Sequence, residues 1–159
     1  MKTAEDILNE KGRELICAAE DATVSEALKT MLENKIGSIL VKREDQIVGI
    51  WTERDLMNNT LADDFDPNTA RLKDHMVTNL RSASAGDSLY LLMDKFLGMR
   101  LRHLLIEKEG KYIGLLSSGD VIKAELNERT KELKNLNTMV SWEYYENWKW
   151  KKGKKPVNV

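Results

Sequence analysis

The chain is written twice, and that limits its possible folds more than any other feature. Gly49 to Asp55 reads Gly-Ile-Trp-Thr-Glu-Arg-Asp, and Gly114 to Asp120 reads Gly-Leu-Leu-Ser-Ser-Gly-Asp. The two blocks lie 65 residues apart, and the same spacing runs backward without a gap. Thr23 falls on Ser88, Ala27 on Leu92, Met31 on Phe96, Leu40 on Leu105 and Glu44 on Glu109. Single matches arise by chance, but a collinear run with matching chemistry means one supersecondary unit used twice. A chain of 159 residues holds two such units plus an extension and is long enough to bury a core without staples.

Each unit reads as helix, strand, strand, helix. Thr23-Val-Ser-Glu26 is a capping box: the threonine hydroxyl accepts from the third helical N–H and the glutamate reaches back. The helix it opens carries Ala27, Leu28, Met31 and Leu32 on one face. Ser38–Val41 and Ile47–Trp51 are short apolar runs around the polar turn Lys42–Gln46, the pattern of a hairpin. Thr52 then caps a second helix with Leu56 and Met57. In the second unit Ser88 opens a helix with Leu89, Leu92, Met93 and Phe96. Arg102–Ile106 and Tyr112–Leu116 flank a turn at Glu109-Gly110, and Ser117 caps the last helix. The joining segment, Asn58 to Thr69, is mostly polar, with Asp66-Pro67 as a turn signal. The expected organisation is residues 1–66 and 67–126 for the two repeats, with a helical, Trp/Lys-rich extension over 127–159.

Several functions find no support in the sequence. A formal net charge of −1 creates no global field toward nucleic acid or membrane. No apolar run approaches the ~20 residues of a membrane helix. The start, Met1 to Gly12, lacks the pattern of a signal peptide. Cys17 is the lone cysteine and reads as a half-buried small hydrophobe, so a reducing, cytoplasmic setting is the default expectation. Neither His75 nor His103 has a second metal ligand at helical spacing, and no nucleotide-loop, metalloprotease or nucleophile-elbow motif is present. The expectation is therefore no enzyme activity, no metal and no covalent cofactor. Leu126, Leu133 and Val140 recur every seven residues, hinting at a coiled-coil seam. Beyond them, Trp142, Tyr144, Tyr145, Trp148 and Trp150 interleave with lysines, a composition that suits a packing helix with a basic end, a partner surface, nucleic-acid stacking or a membrane interface.

The doubled unit resembles the CBS domain family in its tandem form. Three features carry the resemblance: the glycine in the last strand, the corner motif Thr52-x-x-Asp55 with its copy Ser117-x-x-Asp120, and the lead-ins Thr3–Leu8 and Leu72-Lys-Asp-His-Met76. It covers roughly residues 1 to 126. It implies an α/β (α+β) module of two repeats, each a small sheet with helices packed on it, related by a pseudo-twofold axis. It further implies two clefts for adenosine-containing ligands (AMP, ADP, ATP, NAD or S-adenosylmethionine) and a homodimer regulating a protein partner the sequence does not name.

An aspartate at such a corner suits a ribose, because an ionised carboxylate accepts from two neighbouring hydroxyls at once. The same motif is also a good helix cap with no ligand at all, as Thr23-x-x-Glu26 illustrates. The resemblance places phosphate contacts on the strand after the first helix and on the opposite corner. Arg102 and His103 stand there in the second unit, where the first has Gly37 and Ser38, and Arg54 stands at the first corner opposite Gly119 in the second. The expected main site is Ser117 and Asp120 with Arg54, Arg102 and His103, the adenine lying between Ile16 and Ile36. A weaker cleft would use Thr52 and Asp55. Solvated surface charge is the alternative for the two arginines. A dimeric scaffold with vestigial clefts, acting through its aromatic and basic tail, is the rival to a nucleotide sensor. A nucleic-acid binder is not favoured.

Overall fold

The structure, a computed structural model, describes residues 1–12 and 14–136. In chain order the elements are α1 (Ala4–Lys11), β1 (Cys17–Ala19), α2 (Val24–Asn34), β2 (Ser38–Arg43), β3 (Gln46–Thr52), α3 (Glu53–Asn59), α4 (Leu72–His75), β4 (Ser82–Ser84), α5 (Leu89–Met99), β5 (His103–Lys108), β6 (Lys111–Ser117) and α6 (Ser118–Leu136). The chain divides into two units, Met1–Ala124 and Glu125–Val159. The doubled region lies in the first. In the second, α6 runs on to Leu136, with Arg129 paired to Glu125 and Glu132. Leu126 and Leu133 of the seven-residue pattern are exposed on it; Val140 and the aromatic tail fall outside the described residues.

The mixed α/β reading holds, and the repetition extends to backbone detail. Each repeat has a three-stranded sheet, β1-β2-β3 or β4-β5-β6, its first pair parallel and its second antiparallel. Register irregularities fall at Val41/Lys42 and at Ile106/Glu107. Left-handed backbone occurs at Lys35 and Arg100, and at Glu44 and Glu109, again 65 apart. That conformation costs a non-glycine residue free energy. Its recurrence at matching positions therefore marks a demand of the fold. Thr23 and Glu26 form the anticipated capping box, and Thr3–Asp6, Thr52–Asp55 and Ser117–Asp120 form three more. Ser88 caps alone, because Leu91 stands where the returning acid would be.

β1 and β4 were not legible in the sequence. Each is only three residues of small or polar type, and each exists because a parallel neighbour supplies its hydrogen bonds.

The lead-in helices cross over. Ala4 and Ile7 of α1 are buried with Leu89, Leu92, Leu104 and Leu116 of the second repeat, whereas Leu72 of α4 is buried with Val24, Ile39 and Trp51 of the first. Each of the leucine, isoleucine and valine side chains among these, fully buried, contributes roughly 1.5–3 kcal/mol. The contact that admits each helix is a glycine in the last strand. A Cβ at Gly114 would collide with Leu8, and one at Gly49 with Met76. The docking bonds match as well: Ala4 N–H donates to Asp87 C=O at 2.9 Å, and Leu72 N–H to Ala22 C=O at 2.9 Å. Ala4 thus corresponds to Leu72 and Leu8 to Met76, a spacing of 68 where the strands keep 65. Three extra residues follow the first lead-in, and α1 has 8 residues against 4 for α4.

Candidate functional site

The last strand of each repeat turns directly into a helix, and the carboxylate at the third helical position closes the corner. At the second corner Asp120 Oδ2 accepts from Ser117 N–H at 2.8 Å and from Ser117 Oγ at 2.8 Å, while Asp120 N–H donates back to Ser117 Oγ at 3.2 Å. Ser118 N–H donates to Arg102 C=O at 3.0 Å and ties the corner to the start of β5. His103, the first residue of β5, faces Ser117 across the ladder. The first corner repeats this with Thr52, Asp55 and Glu53 N–H donating to Gly37 C=O at 3.0 Å, and there buried Ser38 takes the place of His103.

The two corners differ in what reaches them from the lead-in. The extra turn of α1 ends at Lys11, just before Gly12, whose left-handed backbone (φ 59°) stops the helix. Lys11 Nζ donates to Asp120 Oδ2 at 2.8 Å and to Leu115 C=O at 3.0 Å. Both side chains are about three-quarters covered, with 25% exposure each. The shorter α4 sends no such side chain. Its exit pairs by backbone instead, Val77 N–H donating to Ile50 C=O at 2.8 Å; Ile50 is the counterpart of Leu115. Asp55 is bonded to Thr52, and no ion pair ends on it among the described residues.

These surroundings set the charge states. Burial alone would raise the Asp120 carboxyl, but hydrogen bonds from Lys11 and Ser117 outweigh it and hold the group below the usual carboxylate value. Asp120 is therefore ionised at neutral pH. Its Oδ1 takes no hydrogen bond among the described residues. Burial pushes His103 down from its ordinary 6.5; Lys11 and Arg102 push the same way, while Asp120 and Glu53 oppose them. His103 is thus neutral at pH 7, within electrostatic reach of both repeats' corners.

Six sequence-selected residues gather in two places. Asp120, Ser117, His103 and Arg102 share the second corner, and Thr52 with Asp55 makes the first. Arg54 does not join an ion pair: it is exposed on the first turn of α3 and has no charged partner among the described residues. Its neighbour Glu53 is the residue of that turn that acts on His103, and the Glu53 carboxylate lies 3.2 Å from where a Gly37 Cβ would be. Ile16 and Ile36 are half-buried and pack against the core of the first repeat. Lys11 and Glu53 were missed by the sequence reading. The available signal for Lys11 was the change of spacing from 65 to 68 between strands and lead-ins. A cavity of about 500 Å³ lies elsewhere, lined by Ser82, Ser84, Lys95, Glu107 and Lys108 among others, and includes none of these residues.

A mixed sheet entered by a crossed lead-in helix and closed by a capped carboxylate, present in two copies, defines a paired α/β module. The chain belongs to the CBS domain family, which it matches over residues 4–61 and 72–127. It is similar to a mitochondrial CBS domain-containing protein, CBSX3, of Arabidopsis thaliana, with 27% identity over 89% of this chain and 73% of that one. The fold matches a putative signal-transduction protein with CBS domains from Burkholderia ambifaria at a TM-score of 0.74 and 31% identity, covering 79% of this chain and 95% of that one. It also matches a CBS domain protein of Pyrobaculum aerophilum complexed with AMP, at 0.66 and 20% identity, covering 80% and 99%; at that identity the likeness is one of fold.

Proposed function

We propose that this chain is a regulatory module that senses an adenosine-containing nucleotide at the Asp120 corner and performs no catalysis. The observation that carries the reading is the ionised Asp120 carboxylate, with no hydrogen bond on Oδ1 among the described residues, grouped with Lys11, Arg102 and His103. A carboxylate there suits the two ribose hydroxyls, and neighbouring fixed cations suit a phosphate. AMP, ADP, ATP, NAD and S-adenosylmethionine share the ribose; the phosphate-bearing ones fit the cations. AMP in the Pyrobaculum relative supports the class of ligand. Ile16 and Ile36, packed on the first repeat, are the apolar candidates for adenine contact. Thr52 and Asp55 form the weaker site, with no cation paired to the carboxylate.

Calorimetry with AMP tests the reading. Charge-assisted hydrogen bonds are worth roughly 1.5–3 kcal/mol, so Asp120→Ala and Arg102→Ala should each weaken binding at least about tenfold. Asp55→Ala should change it much less. Loss of binding in Asp55→Ala with Asp120→Ala silent reverses the two sites. No binding of any adenosine ligand at millimolar concentration sinks the sensor reading in favour of a scaffold.

A homodimer is the second part of the proposal. Leu32 and Leu97 are exposed at 76% and 77%, and Met57 and Ile122 at 70% and 56%; both pairs are 65 residues apart. Apolar exposure repeated on both halves suits a self-complementary, twofold contact. Light scattering should give about twice the chain mass of 18.2 kDa at micromolar concentration; a single-chain mass counts against the dimer. No described helix is long and apolar enough to cross a membrane. The protein partner and the aromatic tail's part in binding it belong to the same proposal.

A further inference from the structure

We propose that Lys11 is the specificity-determining residue of the Asp120 corner, making it a site for an anionic ribonucleotide rather than for an uncharged nucleoside. The inference rests on the sensor reading above and adds to it a residue and a charge requirement. Four ionised groups act at this corner: Asp120 and Glu53 are negative, Lys11 and Arg102 positive, and His103 between them is neutral. The cations balance the carboxylates. Without the Lys11 ammonium the corner carries an excess negative charge and opposes a phosphate.

Geometry gives Lys11 a direct part as well. An ammonium has three N–H donors. Two are spent, on Asp120 Oδ2 and on Leu115 C=O, which leaves one for a ligand oxygen. Asp120 keeps Oδ1 for hydroxyl donors. The pair thus offers an acceptor and a donor side by side, with the donor carrying the charge that a phosphate seeks. Lys11 holds this place because α1 is longer than α4, and the first corner has nothing equivalent. There the matching carbonyl, Ile50 C=O, is satisfied by Val77 N–H.

The test is calorimetry of the full chain with two probes, AMP and adenosine, on Lys11→Gln and Lys11→Arg. Glutamine keeps a donor within the site but removes the charge; arginine keeps the charge. The expected result is that Lys11→Gln weakens AMP at least about tenfold, as for loss of one charge-assisted bond, changes adenosine less than about twofold, and that Lys11→Arg retains most of the AMP affinity. Equal losses for AMP and adenosine would assign Lys11 a purely structural role and overturn the proposal. So would unchanged AMP binding in Lys11→Gln, or tighter binding, which would make Lys11 a competitor for Asp120. If Lys11→Gln fails to fold, the AMP-to-adenosine ratio of Lys11→Arg and of the unmodified chain as salt rises decides: a preference for AMP that persists undiminished through 0.5 M salt overturns the charge argument, and one that shrinks supports it. If the unmodified chain binds neither probe, the sensor reading itself has failed and this proposal falls with it; if it binds AMP and Lys11→Gln is silent, only the present proposal falls.

Discussion

Repeat 1 and repeat 2 share strand order, register, irregularities and even the non-glycine sites of left-handed backbone, yet their corners hold different chemistry. In repeat 1 the lead-in is short, its exit chain pairs with Ile50, and Asp55 serves as a helix cap. In repeat 2 the lead-in is longer by a turn, and its last residue neutralises the capping aspartate. A buried scaffold tolerates little change, because packing and backbone hydrogen bonding fix it. The length of a connecting segment is far less constrained, and three residues there are enough to make two like corners unlike. The lesson is that asymmetry in such a molecule enters through what is delivered to the repeated frame, while the frame stays the same.

The largest effects should come from the cores. Trp51 is fully buried in repeat 1, its indole N–H donating to Asn59 at 3.0 Å, and Leu116 holds the matching position in repeat 2. Trp51→Ala should cost about 3–5 kcal/mol and Leu116→Ala about 2–5 in chemical denaturation. A Trp51→Ala loss below 1 kcal/mol would mean repeat 1 contributes little to cooperative stability and would break the equivalence of the two cores.

Next come the glycines that admit the crossed helices. Gly114→Ala drives a methyl against the branched end of Leu8, whereas Gly49→Ala meets the more adaptable Met76 chain. The expected losses are about 1–3 kcal/mol for Gly114→Ala and less for Gly49→Ala. Gly114→Ala should also weaken AMP binding, because moving α1 moves Lys11 with it. An unchanged AMP affinity in a destabilised Gly114→Ala would separate α1 from the site.

The smallest effect is in pH dependence. His103 has its folded-state pKa below the ordinary 6.5, so the unfolded chain takes up this proton first as pH falls. Its contribution to stability is present above pH 6.5 and is lost as pH falls below it. Asp120 also has a lowered pKa, and its contribution is present above the ordinary 3.8 and lost in more acid solution. His103→Ser, the residue of repeat 1, should flatten the melting-temperature profile between pH 7 and 5.5, whereas a profile as steep as that of the unmodified chain would place its origin in other groups.

The sequence by itself determined the unit, its doubling and the two capped corners. Capping boxes, apolar periodicity and the Gly49/Gly114 match are local patterns, and local hydrogen bonding and packing read them directly. The family resemblance that these patterns carry grouped Asp120 and Ser117 with His103, Arg102 and Arg54. The tertiary structure alone decided the rest. β1 and β4 needed a neighbouring strand to exist. The crossing of the lead-ins came from glycine gaps in the opposite repeat, and it brought Lys11 to Asp120 across 109 residues of chain. Sequence separation says nothing about such a pairing, because it is set by where a helix docks and how many turns remain before it ends.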